Sequence, residues 1–260
     1  MKWKTLLAIP MLLAATAQAQ VNSVNAVGMV KINIPANKLV FVSLPFVTET
    51  TTLDSVIGDQ LTGAGNSGSS DRITIFNTTT QSYESFWKVE GTNTSFDDKW
   101  YKDDGQFPPV AADVSILLGA GFWIESRNGS DQNLIISGEV PSEDSGVDLV
   151  EGLKQIGFPY PVAVNINSPE FMLNDIAVGA GNSGSSDRII IWDIVNQSYT
   201  PLWLVEGVGN PTFDGFWHFD DGQFPPTKAD IEIGPGVGFW FERRATGNGT
   251  WTPTKPYLWP

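Results

Sequence analysis

Val30-Lys-Ile-Asn-Ile34 alternates apolar and polar residues with a period of two, the mark of a strand with one face buried. Ile73-Thr-Ile-Phe76 and Ile189-Ile-Ile-Trp192 are short β-branched runs. Each leads through a polar loop into a second run, Tyr83 to Val89 and Tyr199 to Val205, so each pair predicts a hairpin. Val114 to Leu117 and Phe122 to Glu125 predict two further strands around Gly119-Ala-Gly121, a turn suited to positive φ. Helical signals are few. Thr52-Leu-Asp-Ser-Val-Ile57 predicts one short helix. Ser168-Pro169-Glu170 predicts the start of another, with Ser168 as N-cap and Pro169 at the first helical position.

The same pattern occurs twice. GAGNSGSSDR stands at 63–72 and again, letter for letter, at 179–188. Gly63 to Arg127 aligns with Gly179 to Arg244 with one inserted residue, and 38 of 65 aligned positions are identical. Upstream, Leu39 to Phe46 (LVFVSLPF) matches Leu153 to Tyr160 (LKQIGFPY) more loosely. For Val27 to Pro35 two partners are open, Leu134 to Pro141 or Val147 to Val150. The fold expected is all-β with one short helix per repeat: two tandem homologous β-sandwich or barrel-like domains, 20–141 and 142–260. Their boundary falls in the polar, turn-rich Pro141-Ser-Glu-Asp-Ser-Gly146.

Composition sharpens this picture at three points. Lys2 and Lys4, an apolar stretch from Leu6 to Thr16, and Ala17-Gln18-Ala19 form a signal-peptide pattern over 1–19. Mature protein is expected to start at Gln20, secreted to the bacterial cell surface or the medium, with no transmembrane segment. The absence of cysteine excludes disulfides, thiolate catalysis and zinc–thiolate sites. Removing the two lysines of the signal from 15 leaves 13 basic residues against 29 acidic ones, a charge of −16, which repels nucleic acid and anionic membranes and suits cations or neutral polymers.

The glycine stretch matches the dinucleotide fingerprint G-x-G-x-x-G, but here it precedes a β-branched run, whereas that fingerprint needs a strand before it and a helix after. Catalysis finds little footing either. His218 is the only histidine, and Tyr101 stands at its place in the first repeat. Repeated acids could serve glycoside hydrolysis, but near-identical sites in both halves suit a binder or building block better. Calcium is a better use of the oxygen-rich loops, with Asn66, Asp71, Asp103 and Asp104 in one repeat and Asn182, Asp187, Asp220 and Asp221 in the other. The alternative is that Asp-Asp-Gly simply makes a turn. Trp100 and Trp217, like Trp87 and Trp203, are candidates for stacking on sugars; the alternative is that they are core residues. The C-terminal WTPTKPYLWP, with Trp251, Tyr257 and Trp259, either packs at home as an edge or reaches a neighbour's sheet.

The order LVFVSLPF, short helix, SDRI, QSY, Trp and GxGFW resembles a recurrent domain of secreted bacterial proteins, opened by a strand near W-N-L-I-S-L-P and closed by P-G-x-G-Y/F-W. The match covers about residues 26–250 as two copies, though Lys38-Leu39 and Gly152-Leu153 replace the opening Trp-Asn. The resemblance implies a secreted, largely β, non-enzymatic module, most of whose members lack an assigned activity. Together these readings lead us to expect a secreted, self-assembling filament or surface-layer subunit, stabilised by calcium. The alternative is a lectin-like protein with two equivalent sites for extracellular glycans.

Overall fold

A computed structural model describes residues 25–258. The expected signal segment 1–19 and Trp259 lie outside them.

The chain is nearly all β. In the first half β1 (Val27–Ile34) and β7 (Gln132–Glu139) form an antiparallel two-stranded ribbon. Between them run β2 (Leu39–Ser43), α1 (Leu53–Val56), β3 (Arg72–Asn77), β4 (Ser82–Val89), β5 (Lys99–Lys102) and β6 (Gly121–Glu125). Their strands make an antiparallel sheet in the order β2-β6-β3-β4-β5. The second half contains β8 (Val147–Leu149), β9 (Gly152–Gly157), β10 (Val164–Asn165), β11 (Arg188–Asp193), β12 (Ser198–Val205), β13 (Phe216–Phe219), β14 (Glu232–Ile233), β15 (Gly238–Arg243) and β16 (Gly249–Trp251). Its main sheet has the order β9-β15-β11-β12-β13, and β8 pairs with β16 as a ribbon. The two five-stranded sheets therefore have the same strand order, and Val147–Leu149 takes the place in the second half that β1 takes in the first.

Alternation decides what each strand buries. Val30, Ile32 and Ile34 of β1 and Leu134 and Ile136 of β7 point onto the sheet and close the first core with Val40, Val42, Ile73, Phe86, Phe122 and Ile124. The second core holds Ile156, Phe158, Ile189, Leu202, Phe239, Phe241 and Trp251. β2 and β6 read as continuous apolar runs because their other face is covered as well. There Phe41 and Trp123 meet Trp240 and, partly buried, Phe76, Leu153, Ile190 and Trp192, so the halves pack sheet against sheet.

This seam is reciprocal. Trp123 contacts Trp192 at 5.2 Å and Tyr199 at 6.3 Å between ring centroids, while Trp240 contacts Phe76 at 5.0 Å and Tyr83 at 6.1 Å. Gln197 Oε1 accepts from Leu39 N at 2.9 Å, and Gln81 Oε1 accepts from Leu153 N at 3.4 Å. Val42 bridges Val237, and Ala120 bridges Ile156. Each first-named group exchanges roles with its repeat equivalent, the relation of an isologous, two-fold contact. Glycines make the close approach: a Cβ on Gly157 would lie 2.1 Å from Ser43 Oγ, and one on Gly238 would lie 2.6 Å from Val42 O. The GxGFW motif thus puts glycine at the crossing and Trp into the seam.

The structure corrects two expected elements. Val114–Leu117 is not a strand; Ser115 makes a single bridge to Thr52, and Ile116 N donates to Thr51 O. The Ser168-Pro169-Glu170 signal does not start an α-helix. Asn167 turns the chain by binding the Trp217 and Ala229 carbonyls, Met172 takes a left-handed φ of 54°, and only a 3-10 turn at Leu173–Asp175 follows. The other expected helix forms, with Thr52 as N-cap accepting from Ser55 N.

Candidate functional site

The repeated loops meet at the far end of each sheet from the seam's aromatic cluster. Register sets Arg72 beside Trp87 and Glu125, and Trp87 beside Tyr101, across β6, β3, β4 and β5. In the second half Arg188, Trp203, Glu242 and His218 fall at the same positions. Three loops rise around each tryptophan.

The glycine loop is the first. Its chain turns at Asn66, whose carbonyl accepts from Ser69 N and Ser70 N. Buried Asp71 ties the loop's end to the closing strand: its carboxylate accepts from Thr62 N at 2.8 Å, Arg127 N at 2.7 Å and Gln132 Nε2 at 2.5 Å. Asp187 accepts likewise from Val178 N, Arg244 N and Ala245 N. Arg127 and Arg244 pair with Glu125 and Glu242 and clamp loop carbonyls, Ser67 in one half and Ser183 and Gly184 in the other.

The second loop presents Phe96 or Phe213. Asp97 accepts from Thr92 N and Asn93 N, and the hydroxyl of Thr92 holds its carboxyl below the usual range, with these backbone donors adding to the effect. Asp214 accepts from Val208 N and Gly209 N. The third loop is DDGQFPP. Asp103 is anchored by Arg72 at 2.5 Å and Asp220 by Arg188 at 2.6 Å. Asp104 and Asp221 accept from Gln106 N and Gln223 N, each at 3.0 Å. Gly105 and Gly222 supply φ of +74° and +73°. The turn then thrusts out Phe107, 87% exposed, and Phe224, 94% exposed.

The result is a groove in each half. One, of about 360 Å³, is lined by Asn66, Trp87, Phe96, Gln106, Phe107 and Pro109 among others. Its counterpart, of about 310 Å³, has Asn182, Trp203, Phe213, Gln223, Phe224 and Pro226 at the equivalent places. Neither is lined by a charged residue. The amides of Gln106 and Gln223 make no side-chain hydrogen bond among the described residues, so both are free for a ligand.

The residues singled out from sequence separate into groups. Asp71, Asp187, Asp103 and Asp220 spend their carboxylates on protein donors, and Asn182 Oδ1 accepts from Ser185 N. Among the described residues no three acidic or histidine side chains converge on one point. Trp100 and Trp217 are corrected from sugar platforms to core: both are buried and offer no face to a ligand. Trp251 is buried too, donating from Nε1 to Phe171 O at 2.6 Å, and Tyr257 donates to Pro141 O at 2.8 Å. Residues 251–257 therefore pack within the chain, on the second core and the connection at Pro141. Sequence reasoning missed Phe107, Phe224, Phe96, Phe213, Gln106 and Gln223 as site residues. Their signal was an aromatic inside a Gly/Pro loop, unchanged between the repeats while core residues such as Phe86 and Leu202 differ.

No helix among the described residues is long and apolar enough to cross a membrane. Comparison of the chain with protein-family models, curated proteins and solved structures returns no match.

Proposed function

We propose that this protein is a non-catalytic binding protein, working outside the cell, with two equivalent grooves for a neutral polysaccharide. The observation that carries the reading is the pair of uncharged grooves, each of aromatic rings and free amides, on a chain of net charge −14. Aromatic faces take the C–H faces of sugar rings, and amides take hydroxyls as donor and acceptor. An ionic ligand would find no counter-charge in the lining. The volumes lie at the small end of ligand pockets, about 300–1,000 Å³, and match a short stretch of a longer chain. Affinity electrophoresis through gels containing laminarin, xyloglucan, galactomannan or dextran tests it. Retardation by at least one polymer is expected, abolished in the Phe107→Ala/Phe224→Ala double variant. Unretarded migration in all four gels overturns the reading.

One observation favours the second reading, a self-associating surface or filament subunit. Among the described residues β1 pairs with β7 alone, and Val27 and Met29 stand 79% and 74% exposed along it. An open edge of this kind is suited to pairing with another copy. In this reading β1, rather than the C-terminal tail, makes the joint. Concentration-dependent sedimentation that disappears in Met29→Lys supports it.

A further inference from the structure

The two grooves are related by the same exchange that relates the two sides of the seam. Trp123–Trp192 answers to Trp240–Phe76, Leu39–Gln197 to Leu153–Gln81, and Val42–Val237 to Ile156–Ala120. A pair of halves making contacts in this reciprocal way is related by a two-fold axis. The axis passes through the seam, and each groove lies on its own sheet toward β4 and β5 or toward β12 and β13. The seam that fixes them is packed with aromatic rings and held by backbone-to-side-chain hydrogen bonds, so the grooves keep one mutual orientation.

Symmetry then restricts what can fill both. A polysaccharide chain has direction, because its two ends differ chemically. A two-fold rotation maps a straight directed line onto itself, direction preserved, only when that line is the axis. The grooves are off the axis, on separate sheets. A straight chain lying across both would run forward through one and backward through the other. Equivalent linings cannot read both directions with the same contacts, since Gln106 and Gln223 would meet opposite edges of the sugar. Grooves that lie parallel to the axis run side by side, and a straight chain enters only one.

Resting on the polysaccharide reading, we infer that the two grooves hold two different polymer chains, and that the protein is a cross-linker of neutral polysaccharide. It is not a clamp along one strand. The exposed Phe107 and Phe224 are then equal and independent handles, one per chain, each contributing aromatic area that no core packing requires.

The test uses full-length wild type, Phe107→Ala, Phe224→Ala and the double variant, with the polymer of the four-gel panel that retards wild type most. Both side chains are exposed, so their loss leaves folding intact. Static light scattering of the dilute polymer is followed as protein is added. Wild type is expected to raise the apparent mass of the polymer several-fold at low protein, and excess protein is expected to reverse the rise by filling sites singly. Each single variant is expected to bind, with its altered groove weakened at least about tenfold, and to raise no mass beyond its own. The double variant is expected to do neither. Wild type that binds with no rise in polymer mass, whether by one groove or by one chain doubling back through both, overturns cross-linking and leaves the binding reading standing. Single variants that cross-link as well as wild type at the same protein concentration also overturn it. No binding by wild type overturns the polysaccharide reading itself, and cross-linking with it.

Discussion

At the scale of single residues, the repeated acids act as fasteners. Asp71 is buried and satisfies three N–H donors from three segments, Thr62, Arg127 and Gln132. Replacing it with Ala strands those donors inside the protein. Asp71→Ala is expected to cost about 3 kcal/mol or more in denaturant melts, equally in millimolar calcium and in chelator. A calcium-dependent difference is the outcome that assigns metal to these loops: a hundredfold excess over Kd stabilises by about 2.7 kcal/mol, or roughly 5–10 °C in a chain of this size. From sequence, an oxygen-rich loop suits cations and N–H groups alike, because both seek carboxylate oxygens. That Thr62 and Arg127, far apart in the chain, both donate to Asp71 is a long-range fact that no local pattern states. His218 gives a second test. Burial pushes its pKa below 6.5, the Phe216 carbonyl opposes the shift, and Lys228 adds to it. A base with a depressed folded pKa contributes stability that is complete above the unfolded value and lost as pH falls below it. Melting temperature should therefore decline from about pH 6.5 downward, before most carboxylates titrate. His218→Tyr, copying Tyr101 of the other half, should flatten that decline; an unchanged slope sinks the assignment.

At the scale of elements, what was legible depended on whether the signal was local. The alternation of Val30 to Ile34, the paired hairpins and the Thr52 cap each act within a few residues, and all appear in the structure. Ser168-Pro169-Glu170 is as good a local helix start, yet Asn167 is captured by the backbone at Trp217 and Ala229, some fifty to sixty residues away. Val114 to Leu117 lacks a strand partner beyond one bridge to Thr52. The seam was illegible for the same reason. Trp123 and Trp240 read as the end of the repeated GxGFW motif, and nothing within either repeat states that their partners lie in the other. The glycines of the crossing make this checkable. Gly157 has an ordinary φ, so alanine there tests space and not backbone conformation. Its Cβ would collide with Ser43 and sit 3.0 Å from Val237 O, backbone that cannot swing away. Gly157→Ala is expected to force the sheets apart and cost about 1–3 kcal/mol, seen as a lower denaturation midpoint. A midpoint equal to wild type refutes the close approach.

At the scale of the whole molecule, the question is where the C-terminal segment belongs. Its aromatic and proline content is equally suited to a neighbour's sheet edge and to the chain's own core. In the structure β16 pairs with β8, and Trp251 packs with Phe158, Phe171 and Phe239. The segment beyond it returns to the connection between halves. Lys255 N donates to Asp144 at 2.8 Å, Tyr257 Oη to Pro141 O at 2.8 Å, and Tyr160 Oη reaches Pro253 O at 3.0 Å. Burial pushes the Tyr257 hydroxyl up to about 12, so it stays a donor at any physiological pH. Residues 251–257 thus lock the linker onto the second core, while Leu258 stands exposed. Deleting residues 252–260 is expected to lower the melting temperature of the protein, through loss of these bonds and partial exposure of Tyr160 and Trp251. It should leave the sedimentation coefficient that of the parent, apart from the lost mass. If the full-length protein forms a polymer that the deletion dissolves while thermal stability is retained, the tail belongs to the neighbour. The home packing is then one of two exchangeable arrangements, with filament growth carried by the C-terminus and not by the open edge of β1.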